Sequence, residues 1–405
     1  MTESELLQKC SSYLKTLCVD IPERSVGSQG NRMATIFFEK VLASLGWKTE
    51  TPEFNAVDWK ENGATLKADE EEFKVLVSPY SQGCICQAVL AAASNLSELE
   101  SGNFEDKILF VHGELAKEQL MPKNFVFYNP PEHQRIVSLL ENSGACAIVA
   151  ATGRNSALAG GVYPFPLIED GDFDTPSVYM TEEEGQKLIP YIGKELSLRS
   201  SSERIPGKSC NVIGRINSSK KERIVITAHI DAKKGTPGAI DNATGVAVLL
   251  LVAELLKDYR GSRMIEIVAF NGEDYYAVPG QMNFIRANQN TFDNIVLNIN
   301  IDGAGFHVGR TALSFFGLPE RLLSHARNVV NESPQLVEGA LWPQGDHSIF
   351  VQYGRPAIAV SSEWFVNNAD NQNITHTEKD NLSIVNCERV VDAAQAIAAF
   401  INQVG

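Results

Sequence analysis

The 405-residue sequence lacks the excess of basic residues with which nucleic-acid-binding proteins contact phosphates. Its formal net charge is −15, and because an acidic surface repels a phosphate backbone, we expect no nucleic-acid partner. No apolar stretch reaches the roughly 18 residues of a membrane-spanning helix, so we expect no membrane association. The first residues, MTESELLQKCSSYL, lack the basic start and apolar core of a secretory signal, which favours a cytoplasmic protein.

The sequence is also poor in cysteine. Its seven cysteines form an odd, scattered set, which is typical of a reducing compartment rather than of a disulfide framework. Cys84 and Cys86 form a close pair, and their spacing places them on one face of a strand. The remaining composition, with 44% hydrophobic and 21% charged residues, predicts a globular protein with a substantial core.

Three segments differ in the pattern of their apolar residues. Residues 1–56 contain two helix-like stretches followed by a short strand. Residues 57–205 hold short strand-like runs separated by polar turns, which indicates a smaller, mainly β domain. In residues 206–405, strand-like runs alternate with helical ones, which predicts an α/β sheet covered by helices on both faces.

Potential metal ligands follow three consecutive strand candidates in the last segment. The runs RIVITA, RMIEIVAF and IVLNINI lead into His229, the pair Glu273–Asp274, and Asp302. In α/β sheets the ligand site lies beyond the carboxyl ends of the strands. We therefore expect these side chains to meet at one edge of the sheet.

Two further residues extend this set of ligands. Asp241 lies in GTPGAIDNATG, before a predicted helix, and His376 lies in the polar loop THTEKDN. Imidazole and carboxylate groups suit zinc, and paired metal ions can hold a hydroxide for hydrolysis. Peptide hydrolysis also needs a base that is not bound to metal, and the neighbouring acidic pair can divide these two tasks. Asp231 lies on the same strand face as His229 and can accept its other ring N–H.

Five segments resemble the zinc aminopeptidase family: AHIDAKKGTPGAIDNATGVAVLL, FNGEDYY, NIDGAG, GDHSIF and HTEKDN. This family includes secreted bacterial leucine aminopeptidases, glutamate carboxypeptidases and glutaminyl cyclases. The order of histidine, aspartate, acidic pair, aspartate and histidine agrees with the family over residues 205–405, and RSVGSQGN and SCNVIGRI also resemble family segments. The resemblance implies a mixed β-sheet sandwiched between helices, with residues 1–56 and 206–405 in the peptidase domain.

The resemblance also implies a role for each residue. It implies five ligands for two zinc ions, with His229 and Asp302 on one ion, Asp274 and His376 on the other, and Asp241 bridging both. It makes Glu273 the general base and later the general acid, while Asp231 orients His229. The peptide bond after the bridging aspartate is often cis in the family, which predicts a cis bond between Asp241 and Asn242.

One position departs from the family pattern. The metal-binding neighbour of the base is usually glutamate, and here it is Asp274, which is one methylene shorter. A centre with a single zinc ion, as in the cyclase branch, therefore stays open.

Residues 57–205 resemble a protease-associated domain in the stretches FEDKILFVHGEL, SGACAIVAA and TPSVYMTEEEGQKL. In the family such an insert lies over the mouth of the active site and shapes substrate access. It supplies no metal ligands.

Asp346 and His347 match an Asp-His pair that lies near the substrate pocket in the family. They either contact the substrate or its oxyanion, or cap the helix that begins near Ser348.

The combined interpretation is a zinc-dependent aminopeptidase that releases N-terminal residues from peptides, using a zinc-bridged hydroxide and Glu273 as base. Three alternatives stay open: a glutaminyl cyclase, a carboxypeptidase that recognises acidic substrates through Lys233 and Lys234, and a non-catalytic binding homologue. The expected partner is a peptide, and a homodimer stays open because dimers are common in the superfamily.

Overall fold

The computed structural model describes residues 2–21, 23–154 and 158–405. The strands in chain order are β1 (Lys48–Glu50), β2 (Glu53–Ala68), β3 (Glu71–Phe73), β4 (Leu76–Val77), β5 (Cys84–Ala93), β6 (Ile108–Val111), β7 (Ala147–Thr152), β8 (Ser177–Thr181), β9 (Glu195–Cys210), β10 (Val212–Ile216), β11 (Arg223–His229), β12 (Met264–Phe270), β13 (Ile295–Ile301), β14 (Thr311–Phe316), β15 (Leu336–Glu338) and β16 (Ala357–Ser362). The α-helices are α1 (Glu3–Lys15), α2 (Gln29–Ser44), α3 (Leu96–Ser101), α4 (Pro131–Glu141), α5 (Glu182–Leu188), α6 (Thr244–Leu256), α7 (Pro279–Asn288), α8 (Glu320–Glu332), α9 (His347–Gln352), α10 (Glu363–Asn368) and α11 (Cys387–Val404).

The chain divides into two compact units. Unit 1 comprises Met1–Ala56 and Lys208–Gly405, and unit 2 comprises Val57–Gly207. The structure contains two eight-stranded sheets, each with parallel and antiparallel pairs.

The sheet of unit 1 has the strand order β1-β10-β12-β11-β13-β16-β14-β15. Strands β12, β11, β13 and β16 are parallel, whereas β10 and β14 pair antiparallel to their central neighbours. All seven residues of β11 and of β12 are buried, as expected for strands covered on both faces. The parallel strands end at one edge of the sheet, and this edge carries the residues that follow them.

Helices cover both faces of this sheet. Ile265 and Ile267 of β12 face a core cluster that includes α6 and α11, while Phe270 packs against Phe284 of α7 with ring centroids 5.2 Å apart. Ile265 and Ile267 therefore point to one face of the sheet and Phe270 to the other, as the two-residue period of a strand requires. The predicted α/β fold with a mixed sheet sandwiched between helices is confirmed.

Helix α6 is the central core helix of unit 1. By length and mean hydropathy residues 239–256 could cross a membrane, although they include Asp241 and Glu254, and 89% of this window is buried inside the protein. A helix that is hydrophobic on all sides suits the interior of a large domain. The segment just before this helix carries Asp241, so the buried helix also fixes that segment near the carboxyl ends of the parallel strands.

Unit 2 is built on the strand order β3-β2-β9-β5-β6-β7-β8-β4, with β5 to β8 parallel. Apolar residues of its central strands alternate between two clusters, with Leu109 and Ile148 in one and Phe110 and Val149 in the other. Helices α3, α4 and α5 also belong to this unit. Its relation to protease-associated domains stays a prediction.

A disulfide bond joins Cys86 of β5 to Cys146, next to β7. The other five cysteines are free thiols. The interpretation of the whole cysteine set as reduced is therefore wrong for this pair. Disulfides persist mainly in oxidising environments, and the cellular location of the protein stays a prediction.

We expect five reactive thiols in the unfolded, unreduced protein and seven after reduction. The bond closes a loop between positions 60 residues apart, so its loss by Cys86→Ser should destabilise the protein by about 2–4 kcal/mol. Thiol titration and urea unfolding measure both quantities, with Cys84→Ser as a matched control on the same strand. Seven thiols without reductant would contradict the bond.

Candidate metal centre

Three neighbouring parallel strands deliver side chains to one edge of the sheet in unit 1. His229 is the last residue of β11, Asp302 directly follows β13, and Glu273 and Asp274 follow β12 by three and four residues. Gly272 permits the turn after β12, since its φ of 116° is rarely adopted by residues with a side chain. The strand ends therefore converge as the sequence predicts.

The carboxylate of Asp241 lies between two imidazoles. Its Oδ1 is 3.1 Å from Nε2 of His229, and its Oδ2 is 3.1 Å from Nε2 of His376. The peptide bond between Asp241 and Asn242 is cis, as predicted. Each carboxylate oxygen thus faces a different histidine.

One further carboxylate joins each histidine. Asp302 Oδ1 lies 3.7 Å from His229 Nε2, and Asp274 Oδ1 lies 3.1 Å from His376 Nε2. Ligand atoms about 2.0–2.2 Å from a tetrahedral zinc ion are themselves roughly 3.3–3.6 Å apart. The observed separations of 3.1–3.7 Å suit two triads of metal ligands that share Asp241. The shorter Asp274 side chain reaches His376, so the departure from glutamate does not remove this ligand from the cluster.

Several buried polar atoms of the cluster have no hydrogen-bond partner among the described residues. They are both ring nitrogens of His229 and Oδ2 of Asp274. An unpaired buried polar atom costs free energy comparable to a lost hydrogen bond. The 3.1 Å approach of His229 Nε2 to Asp241 also lacks hydrogen-bond geometry, so Nε2 and the Asp274 carboxylate fit a bound metal ion, whereas Nδ1 of His229 faces Asp231 at 3.7 Å.

The electrostatics of the cluster favour a bound cation. Burial alone lowers the pKa values of His229 and His376, but the surrounding aspartates raise both well above the usual value. Burial raises the pKa of Asp241, yet the two imidazoles hold it well below its usual range. When no cation is bound, the neighbouring carboxylates therefore favour the protonated form of both imidazoles.

Glu273 lies within the electrostatic range of this cluster without an ion-pair contact to it among the described residues. Burial raises the pKa of its carboxyl well above the usual value; nearby His229 lowers it, and Asp274 and Asp302 raise it further. A raised pKa makes a carboxylate a stronger base towards a water proton. This is the behaviour that a general base requires.

Asp231 holds the segment that carries Glu273. Its Oδ1 accepts from the N–H groups of Gly272 at 2.8 Å and Glu273 at 3.3 Å, and its Oδ2 accepts from that of Asp274 at 3.0 Å. Its distance to Nδ1 of His229 is 3.7 Å, which is too long for a hydrogen bond. The predicted contact to His229 is therefore loose, and the main contacts of Asp231 are with the backbone beside the base.

A buried network of side-chain amides holds the turn that follows β12. Asn271 and Asn31 exchange side-chain hydrogen bonds of 2.9 Å, and the Asn271 amide also donates to Ser209. Satisfied buried networks of this kind restrict local motion. The RSVGSQGN segment, which ends at Asn31, thereby contacts the turn at the end of β12.

Asp346 and His347 are buried beside the centre. Asp346 accepts a 2.9 Å hydrogen bond from Gln281 and makes no side-chain bond to the start of α9, so the helix-capping alternative is wrong. Nε2 of His347 lies 2.9 Å from the main-chain oxygen of Trp342, which assigns its N–H to that side and leaves Nδ1 without a partner among the described residues. Burial lowers the pKa of His347.

Two buried residues near the centre escaped sequence reasoning. Arg24 donates to the main-chain oxygens of Ile230 and Gly238, and the Asp380 carboxylate accepts from the N–H groups of Ile240 and Asp241. Both lie inside quoted motifs, RSVGSQGN and HTEKDN, but charged residues in loops carry no signal of burial by themselves.

The predicted metal ligands and Glu273 all lie in a part of the chain that matches a known protein family. Residues 211–401 match the model of peptidase family M28.

Two curated relatives are aminopeptidases by name. Aminopeptidase YwaD of Bacillus subtilis is 22% identical over 281 residues, which cover 64% of this chain and 57% of that protein. The probable lipoprotein aminopeptidase LpqL of Mycobacterium tuberculosis is 26% identical over 288 residues, covering 69% and 54%. The matches therefore span little more than half the length of these relatives.

Solved structures share the fold at low sequence identity. A zinc aminopeptidase from Bacillus subtilis has a TM-score of 0.73 at 17% identity, covering 98% of this chain and 94% of that chain. A glutaminyl cyclase from Porphyromonas gingivalis has a TM-score of 0.53 at 14% identity, covering 98% of both chains. The fold is therefore that of zinc aminopeptidases, with the cyclases more distant.

Without metal, the protein should lose stability as pH rises above 6.5. The folded-state pKa values of His229 and His376 lie well above the usual histidine pKa of about 6.5. Their protonation therefore contributes stability that is complete below pH 6.5 and is lost as pH rises through the folded-state values. Burial raises the pKa of Asp346 to about 7, which acts in the same direction. Zinc should reverse the trend, because it binds neutral imidazole.

Melting temperatures at pH 6, 7 and 8, with chelator and with zinc, test this expectation. The His229→Ala/His376→Ala variant serves as control and should show a flatter pH dependence in chelator. A melting temperature that rises with pH in the chelated protein would contradict the assignment of charge to the histidines.

Proposed function

We propose that this chain is a metal-dependent aminopeptidase that releases N-terminal residues from peptides at a centre for two zinc ions. The observation that carries the proposal is the position of Asp241, whose two oxygens face His229 and His376 at 3.1 Å each. Each histidine has its own further carboxylate, so the donor set suits two ions rather than one. The match to peptidase family M28 and the names of the relatives support the same activity.

The chemistry divides between the metal and Glu273. Zinc, when bound, polarises the scissile carbonyl and acidifies a water molecule. Glu273 takes a proton from the attacking water at its carboxylate and gives it to the leaving amine. Asp231 fixes the backbone around Glu273 by accepting from the N–H groups of Gly272, Glu273 and Asp274, which keeps the Glu273 carboxylate oriented during both transfers.

The charge of the centre bears on which end of a peptide it accepts. Asp241, Asp274 and Asp302 place three carboxylates in one buried cluster, and two bound zinc ions would offset their charge, so a neutral terminal amine would be held as a nitrogen donor to zinc and not as a cation. A carboxypeptidase needs positive charge for the substrate carboxylate, and Lys234 instead lies 3.6 Å from Glu23. This contact favours removal of residues from the amino end.

Incubation with a peptide mixture should release single N-terminal residues from free peptides and none from their N-acetylated counterparts. Mass spectrometry of the mixture, with zinc and with chelator, measures the cleavage. The acetylated peptides are the matched control because they differ only in the charge of the terminus. Chelator should abolish release.

Other products would contradict the aminopeptidase. Loss of ammonia from peptides with N-terminal glutamine would indicate a cyclase, for which the more distant structural neighbours provide a precedent in fold. Release of residues from the carboxyl end would indicate a carboxypeptidase. No product from any peptide, together with zinc binding, would indicate a binding protein.

Glu273→Gln should lower kcat by about 10²–10⁴-fold, because the amide cannot accept the proton. Zinc binding should persist, since Glu273 makes no ion-pair contact with the ligand set among the described residues. The control is Glu332→Gln, which changes an exposed carboxylate at the end of α8. A Glu273 variant with unchanged kcat would exclude this residue as the base.

A further inference from the structure

Asp380 lies in the same loop as His376 and is completely buried. Its Oδ1 accepts from the N–H of Ile240 at 2.6 Å, and its Oδ2 accepts from the N–H of Asp241 at 3.0 Å. Its main-chain oxygen accepts from the N–H of Ala239 at 3.2 Å. The N–H groups of three consecutive residues, Ala239, Ile240 and Asp241, therefore all donate to Asp380.

The backbone around Asp241 is not held by a regular helix. Gly238 has the left-handed φ of 58°, and Asp241 has φ −117° and ψ 83°, both outside the helical region. N–H groups that precede a helix have no partner within it. The contacts of Asp380 replace those missing bonds and determine where the Asp241 backbone lies.

Arg24 holds the same segment from another direction. It is 1% exposed and donates to the main-chain oxygens of Gly238 and Pro237 at 2.8 Å each, and to that of Ile230 at 3.1 Å. Its positive charge offsets part of the cost of burying the Asp380 carboxylate. Arg24 and Asp380 together hold the backbone around Asp241.

We propose that Asp380 is a positioning residue that sets the place of the bridging carboxylate and thereby the affinity for both metal ions. It ties Asp241 to the loop of His376, so the distance between these two side chains depends on its hydrogen bonds. Zinc–ligand bonds are only about 2.0–2.2 Å long, so a shift of Asp241 by a fraction of that length weakens coordination. This inference rests on the proposed function in one respect, namely that the centre binds zinc.

Asp380→Asn tests the proposal with little change in size. The amide presents an NH₂ group to a backbone N–H, so one of the two hydrogen bonds is lost and two donors oppose each other. Loss of a partner behind a metal ligand typically costs about 10–100-fold in metal affinity. We expect a loss of this size for both ions, because Asp241 contacts both histidines.

The measurement is a calorimetric zinc titration of the whole chain in a competing chelator. Circular dichroism and the metal-free melting temperature report on folding. An unchanged zinc affinity in a folded Asp380→Asn variant would overturn the proposal. If the unaltered chain binds no zinc, the proposed function fails instead, so the two failures are distinguishable.

Asp170→Asn is the matched control. Asp170 is 4% exposed and accepts from the N–H groups of Lys123 and Asp172 at 2.8 Å each, but it lies in unit 2. It should lose comparable hydrogen bonds without any change in zinc affinity. A similar loss of zinc affinity in this control would mean that general destabilisation is responsible, and would overturn the proposal.

Asp380→Glu decides the matter if the asparagine variant does not fold. It keeps the charge and moves the carboxylate oxygens by one methylene, so zinc affinity should fall relative to the unaltered chain. Unchanged affinity for both ions in Asp380→Glu would overturn the positioning role.

Discussion

The position of one carboxylate is the constraint on which the centre depends. Asp241 can serve His229 and His376 together only when its two oxygens point to opposite sides, each 3.1 Å from a ring nitrogen. The two histidines come from the end of β11 and from the loop before α11. The sheet, the start of α6 and that loop must therefore be held in register, and the buried hydrogen bonds of Arg24 and Asp380 do so.

An excess of negative charge links the stability of this centre to its chemistry. Buried carboxylates are costly unless they are compensated by protons, hydrogen bonds or cations. The raised pKa values of His229 and His376 show that the aspartates retain protons on the imidazoles when no cation is bound. Metal ions are cationic, so this charge excess favours their binding. The cost of burying these carboxylates is thus offset by the partners that the site is suited to bind.

Strand and helix positions in the core follow from local apolar patterns. The predicted strand at 223–228 is observed as Arg223–His229, and the helix predicted for residues 244–259 is observed as Thr244–Leu256, three residues shorter at its end. The long strands β2 and β9 were not predicted at their full length. Many residues of β2 and of the second half of β9 are exposed, so these parts carry little of the apolar alternation by which a strand is recognised, whereas Leu196 and Leu198 alternate with polar residues at the start of β9. A surface strand is specified by its pairing partner, which sequence periodicity does not contain.

The sequence by itself determined the ligand types, their order along the chain and the candidate base, because these depend on residue chemistry and on which strands they follow. Only the tertiary structure decided which oxygen faces which histidine, and that Asp346 binds Gln281 rather than capping α9. The tertiary structure also determined the hydrogen-bond partners of Arg24 and Asp380 and the disulfide bond between Cys86 and Cys146. These contacts join residues tens to hundreds of positions apart. Such pairings arise from how the loops and strands pack together, a property that no local pattern of residues contains.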